Sequence, residues 1–453
     1  MNKNLKQMYV LGGGQPLTNN AFTLIELLAV IVILAIIALI AIPQILNLVS
    51  NSKKKSAEIS VENYLKAVDI AIKNKELNGE KILDGVYNIT EEGKVLDYSD
   101  DNTENDINVE FEGLGLTEGY ITLKQGKVIK LDKVKIDNKV AIYFEEKITL
   151  FENIYTLVNG REFNKRLKML ANPNLENLTY ETSDTIIKSI EFYSNGELPK
   201  GYSLNMLNKL TNTYLSDDKS IIGYYDNGQV YVCSKGLISF NTASNAMFFG
   251  FSVLNNINFG KLDTSNATSM GNMFTGAKTL TNLDLSVFNT INVTSMANMF
   301  NGCKALINLD ISNFDTTNVI SMSNMFRECS KLTKINVSNF NTKKVQYMGS
   351  MFNSCSNLTS LDLSNFDTSA VTDMNNMFAG DGKLSKLNLT NFDTKKVNSM
   401  TNMFRGCTNL KPIFVGENWQ IPTTSDNMFT YCDTQNEEQL CEPGSTEEWC
   451  IVN

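Results

Sequence analysis

The chain has 453 residues, 42% of them apolar, which leaves room for two or three domains with buried cores. Its formal net charge is −9, which argues against a general nucleic-acid binder, because phosphate contacts need clustered Lys and Arg. Histidine is absent; with it go the commonest general base, the Ser-His and Cys-His nucleophile pairs and the commonest zinc ligand. No enzymatic activity and no cofactor is expected.

From Phe22 to Val49 the chain reads FTLIELLAVIVILAIIALIAIPQILNLV. At 1.5 Å per helical residue about 20 apolar residues cross a bilayer, so this run is long enough to be held in membrane lipid. It contains one acid, Glu26. A charge there costs about 2.5–3.5 kcal/mol on insertion scales and marks a functional position unless the side chain reaches the headgroups.

The segment AFTLIELLAVIVILAIIALIAIP resembles the cleavage and methylation segment of type IV pilins and type II secretion pseudopilins. The resemblance implies that a prepilin peptidase cuts between Ala21 and Phe22 and methylates Phe22. It also implies that Glu26 neutralises the new ammonium of a neighbouring pilin-like subunit, a pairing that sets register more than raw stability. Ala21 stands where the family prefers Gly, and Lys53-Lys54-Lys55 follow the apolar run closely. An uncleaved single-pass membrane anchor is therefore the alternative reading.

Past the membrane run, Val61, Tyr64, Leu65, Val68, Ala71 and Ile72 recur at helical spacing, and Asn78-Gly79 is a C-cap signal. Residues 119–144 alternate apolar and polar with turn signals at Gln125-Gly126 and Asp137-Asn138, which predicts an antiparallel meander. The acidic stretch from Asp97 to Asp106 reads as a solvated loop. Residues 161–210 read as a connector with some helix, and short strands are expected around Asp226-Asn227-Gly228.

Met-Phe pairs then begin at Met247, Met273, Met299, Met325, Met351, Met377, Met403 and Met428, stepping by 26 residues and, at the last, by 25. A fixed period predicts a solenoid in which each coil buries its neighbour's face. With Thr290 as N-cap, Val293, Met296, Met299, Phe300 and Cys303 fall on one face of a short helix. Leu306, Leu309 and Ile311 read as a strand, and Asn313, Asn339, Asn365 and Asn391 are placed for a ladder at the turn. The Cys303, Cys329, Cys355, Cys407 and Cys432 column is expected buried and unpaired, with Ala277 and Asp381 replacing Cys in two coils.

The pattern LxxLDLSNFDTxxVxxMxxMF resembles the leucine-rich surface repeats of the BspA-like family over roughly residues 211–432. That resemblance implies a cell-surface location and adhesion to a host or matrix protein ligand. Asp284, Asp310, Asn336, Asp362 and Asn388, with Lys334 and Lys386 beside them, form the candidate binding surface; plain solvation of an exposed sheet is the other reading. A carboxylate glycosidase would need two acids facing a pocket, and regular rows of Asp offer none.

The expected fold class is α+β: a pilin-like long N-terminal helix with a small antiparallel sheet, followed by an α/β leucine-rich-repeat-type solenoid. The expected organisation is a leader (1–21), a transmembrane and stalk helix (22–79), a pilin-like β head (80–160), the connector (161–210), a cap opening the solenoid (211–246), the 26-residue repeats (247–432) and a closing tail (433–453). A Cys441–Cys450 disulfide is one option for that tail outside the cell.

Overall fold

The computed structural model describes residues 52–80, 82, 85–89, 95–97, 107, 109, 116–117, 119–136, 139–144, 147–151, 153–174, 179–410, 413–432 and 440–441. Ala21, Phe22, Glu26, nearly all of the acidic loop and nearly all of the tail, including Cys450, lie outside these residues. The chain divides into two units, 1–57 and 58–453. The described part of the first unit, 52–57, is helical, as are residues 58–77 of the second (α1).

Within 58–77 the buried apolar side chains are Val61, Tyr64, Val68 and Ile72, three or four residues apart on one face. The helix stops because Gly79 turns left-handed (φ +83°) and the Glu80 N–H donates back to Lys75 O at 3.0 Å.

The strands that follow are β1 (Gly85–Ile89), β2 (Val95–Asp97), β3 (Leu116–Thr117), β4 (Tyr120–Lys124), β5 (Lys127–Ile136), β6 (Lys139–Phe144) and β7 (Lys147–Phe151). They make one sheet in the order β2-β1-β4-β5-β6-β7, with β3 on β5 and every pair antiparallel. Gln125 and Gly126 close the β4–β5 hairpin at φ +51° and +68°, the primed turn that matches strand twist. A side chain at Gly126 would meet Glu76 Oε1 at 2.8 Å, so the hairpin tip lies against α1.

A second body begins with β8 (Ile154–Thr156) and α2 (Gly160–Ala171), whose N-cap Asn159 accepts the Glu162 N–H at 3.1 Å. It continues through β9 (Ser189–Tyr193), α3 (Leu204–Leu207), β10 (Thr211–Tyr214), β11 (Ile221–Asp226), β12 (Gln229–Ser234), β13 (Leu237–Ser239), β14 (Asn256–Asn258) and β15 (Leu262–Asp263). One sheet runs β10-β11-β12-β9-β14 and another β15-β13-β8. The segment read as a connector thus contributes α2 and β9, and β9 sits between β12 and β14 with parallel pairing on both sides. Asn164 and Lys168 of α2 are buried, and their side-chain nitrogens both donate to Phe249 O, at 3.0 and 2.8 Å.

The expected α/β leucine-rich-repeat-type solenoid is overturned. Among the described residues 242–432 there is no helix, and strands are confined to β14, β15, β16 (Leu387–Leu389) and β17 (Ile413–Val415), with β18 (Leu440–Cys441) pairing onto β17. The rest of each 26-residue unit is turns. The helix expected before Cys303 fails because each unit carries two left-handed residues, such as Asn298 (φ +59°) and Gly302 (φ +75°), which no right-handed helix tolerates. The amides a helix would turn inward are spent on the next unit instead: the Asn298, Phe300 and Gly302 N–H groups donate to Ser323, Met325 and Arg327 carbonyls at 2.8–2.9 Å. Thr290 is no helix cap either; its buried hydroxyl donates to Asp315 O and accepts the Asp315 N–H, both at 2.8 Å.

The units are joined by a parallel bridge at each step, from Ala243↔Ser269 through Ser399↔Thr424. Inside runs a ring column: Phe248, Phe274, Phe300, Phe326, Phe352, Phe378, Phe404 and Phe429 have successive centroids 5.4–5.9 Å apart and planes within 17° of parallel. At the turns the asparagine ladder forms, each amide nitrogen donating to two carbonyls of the preceding unit; Asn339 reaches Ile311 O and Phe314 O at 3.0 and 2.8 Å. One apolar core runs without a break from Leu157 to Met428.

Glycine supplies the second left-handed position at Gly250, Gly276, Gly302, Gly380 and Gly406, but Glu328, Ser354 and Tyr431 fill it at φ +58°, +62° and +63°. A non-glycine residue there costs about 1–2 kcal/mol, against about 0.5–1 kcal/mol of extra chain entropy lost by glycine. Ser354→Gly is expected to raise stability by about 0.5–1 kcal/mol, read as a higher urea midpoint.

Candidate functional site

All seven side chains of the candidate binding surface are exposed: Asp284, Asp310, Lys334, Asn336, Asp362, Lys386 and Asn388. The Asp and Asn column has a local task that spacing did not reveal. Asp284, Asp310, Asn336, Asp362 and Asn388 each turn one oxygen onto the backbone N–H two residues on, at 2.9–3.1 Å. These are Asx turns, which explains why Asp and Asn interchange at this position.

The Ser312 backbone N–H, with help from the Ser312 hydroxyl and the charge of Lys124, holds the Asp310 carboxyl below the usual carboxylate range. The Ser364 N–H does the same for Asp362. Both turns are therefore fully made above the ordinary carboxylate range and weaken as pH falls through the lowered one.

The column is not uniformly open. The β4–β5 hairpin lies over its first units, where Lys124 Nζ donates to Ser312 Oγ at 2.9 Å and the buried Lys130 donates to Val287 O at 2.6 Å. A cleft of about 450 Å³ there brings Lys124, Lys127 and Lys130 together with Asp284 and Asp310. A second cleft of about 380 Å³ lines Asn336 with Thr122 and Ile129. Asp362 and Asn388 line neither cleft. The sequence carried no signal for this docking, because it depends on two lysines about 160–190 residues distant.

Among the described residues no helix is long and apolar enough to cross a membrane, and the run 22–49 lies outside them. Residues 18–42 match the prokaryotic N-terminal methylation motif. The chain carries a prokaryotic N-terminal methylation motif. The matched segment contains Ala21, Phe22 and Glu26, and the motif implies a membrane-anchored or surface pilin-like protein, processed by a prepilin peptidase and assembled with other pilin subunits. Residues 242–336 and 330–441 match a domain described as a mycoplasma protein of unknown function, DUF285. The likeness to BspA-like repeats gains no support from these matches. No curated protein and no solved structure matches the chain.

The thiols Cys233, Cys303, Cys329, Cys355, Cys407 and Cys432 are free, and burial pushes Cys303 up to about 12. A thiol so far from ionisation is inert packing rather than a nucleophile.

Proposed function

We propose that this chain is a surface-displayed pilin-like subunit, in a minor or tip position, that presents the 26-residue units as a binding domain for a host or matrix protein, and that it is not an enzyme. The observation that carries the reading is the motif match over residues 18–42, which brackets the scissile Ala21-Phe22 bond and the lone acid Glu26. The minor or tip position is inferred from bulk: more than 350 residues lie beyond the apolar run 22–49, a cargo that would crowd a fibre built of this subunit alone. The units around Asp362, Lys386 and Asn388 are the favoured contact region, since the hairpin lies over the earlier ones.

Glu26→Ala removes the proposed partner of a neighbour's Phe22 ammonium. Breaking a buried ion pair costs about 3–5 kcal/mol, so incorporation into sheared surface filaments is expected to fall more than about tenfold while membrane levels hold. Normal incorporation would defeat the role given to Glu26. Ala21 and the close Lys53-Lys54-Lys55 cluster favour one competitor, an uncleaved single-pass anchor. N-terminal sequencing of the membrane fraction decides between them: methyl-Phe22 supports the pilin-like subunit, and an intact Met1 supports the anchor.

A further inference from the structure

Five thiols in the stack share one hydrogen-bond partner geometry. Cys303, Cys329, Cys355 and Cys407 donate Sγ–H to Phe274, Phe300, Phe326 and Phe378 carbonyls, 29 residues back, at 3.0–3.2 Å. Cys432 does the same to Phe404 O, 28 residues back, at 3.0 Å. Each of these carbonyls also takes a backbone N–H; Phe326 O, for instance, accepts from Cys329 N as well as Cys355 Sγ.

Asp381 occupies the position between Cys355 and Cys407. It is 0% exposed, and neither carboxyl oxygen has a hydrogen-bond partner among the described residues. The 29-residue offset leads from Asp381 to Phe352 O, which accepts the Cys355 N–H. In the five units that carry Cys the second donor to this carbonyl is the thiol. A carboxylate has no hydrogen to offer a carbonyl and would stand as an uncompensated charge in an apolar column, whereas a carboxylic acid offers one O–H.

The titratable groups facing Asp381 are Cys355 from the unit before and Cys407 from the unit after, and burial pushes both thiols up, with Asp381 itself adding to the push. Cys329 and Cys432, one unit further away on either side, are also raised by burial. Among the described residues no cation acts on Asp381: burial drives its carboxyl far above the usual carboxylate range, opposed only by the backbone at Cys355.

We propose that Asp381 is a neutral carboxylic acid standing in for a thiol donor to Phe352 O, and that it makes the C-terminal units of the stack an acid-closed, base-opened element. The direction follows from proton counting. When the stack opens at Asp381 the acid meets water and recovers an ordinary ionisation near about 3.9. Closure above that pH needs a proton taken up, so each further pH unit favours the open form by about tenfold until the closed form itself ionises. The stabilising contribution is therefore complete in acid and is lost as pH rises, opposite in sign to Asp310 and Asp362. The proposal does not depend on the pilin-like reading.

Native-state hydrogen exchange on the full chain, corrected for the intrinsic pH dependence of amide exchange, tests it. Between pH 5 and 7 opening of residues 374–432 is expected to rise by about a hundredfold, while residues 268–326 stay level. Asp381→Cys restores the column's own residue and Asp381→Ala copies Ala277, so both replacements already occur in this stack. Each is expected to abolish the pH dependence and to slow opening at pH 7. A flat profile in the unaltered chain would overturn the proposal, as would the same pH dependence surviving in Asp381→Cys.

Discussion

Phe326→Ala is expected to cost about 3–5 kcal/mol of stability, the range for truncating a fully buried phenylalanine. Phe326 is 0% exposed and stacks on Phe300 at 5.8 Å and on Phe352 at 5.6 Å, so one truncation opens a cavity against two neighbouring units at once. Parallel ring pairs add about 0.5–1.5 kcal/mol each beyond their buried area, although the two terms are not additive. In a stack whose units hold each other by nearest-neighbour contacts, a weakened middle also uncouples the two ends. Urea titration should therefore show a lower midpoint and a broader transition with a smaller apparent m. Phe326→Leu keeps most of the volume and should cost well under half as much. A loss below about 1 kcal/mol in Phe326→Ala would mean that the ring column does not carry the contact between units.

The difference between what could be read from residues and what could not follows the physics of each feature. The repeat was legible because equal sequence makes equal structure, and its Met, Phe and Leu positions lie in the core from Met247 to Met428. The asparagine ladder was legible because an amide at a turn is the natural donor to a neighbouring carbonyl. The secondary structure of the unit was misread, since offsets of 3, 3, 1 and 3 around Met299 fit a helical face as well as a tight series of turns. The decisive signal was present but unused: Asn before the Met-Phe pair and Gly two residues after the pair, the two residue types that accept positive φ. The hairpin docking over Asp284 and Asp310 was not legible, because Lys124 and Lys130 look like any solvated lysines in an alternating strand. The N-terminal segment is the reverse case. Its reading rests on the residues and on the motif match alone, because Phe22 and Glu26 lie outside the described residues.

A second large effect is expected where the stack depends on a hydroxyl rather than on apolar surface. Thr342 is 1% exposed; its Oγ1 donates to Asp367 O at 2.9 Å and accepts the Asp367 N–H at 2.8 Å, so one oxygen closes both backbone groups of the next unit. Thr316 and Thr368 repeat the arrangement with Asn341 and Asp393. Thr342→Val is isosteric and leaves no cavity, yet strands a donor and an acceptor together. An unpaired buried polar group costs about 1–3 kcal/mol, which puts the pair at about 2–6 kcal/mol. Thr342→Ser keeps the hydroxyl and deletes one methyl, for which about 1 kcal/mol is expected. Valine must therefore be the more damaging replacement although it preserves shape and apolar volume better. If serine proved as costly as valine, the packing of the methyl rather than the two hydrogen bonds would be holding these units together, and the hydroxyl column would lose its place as the polar spine of the stack.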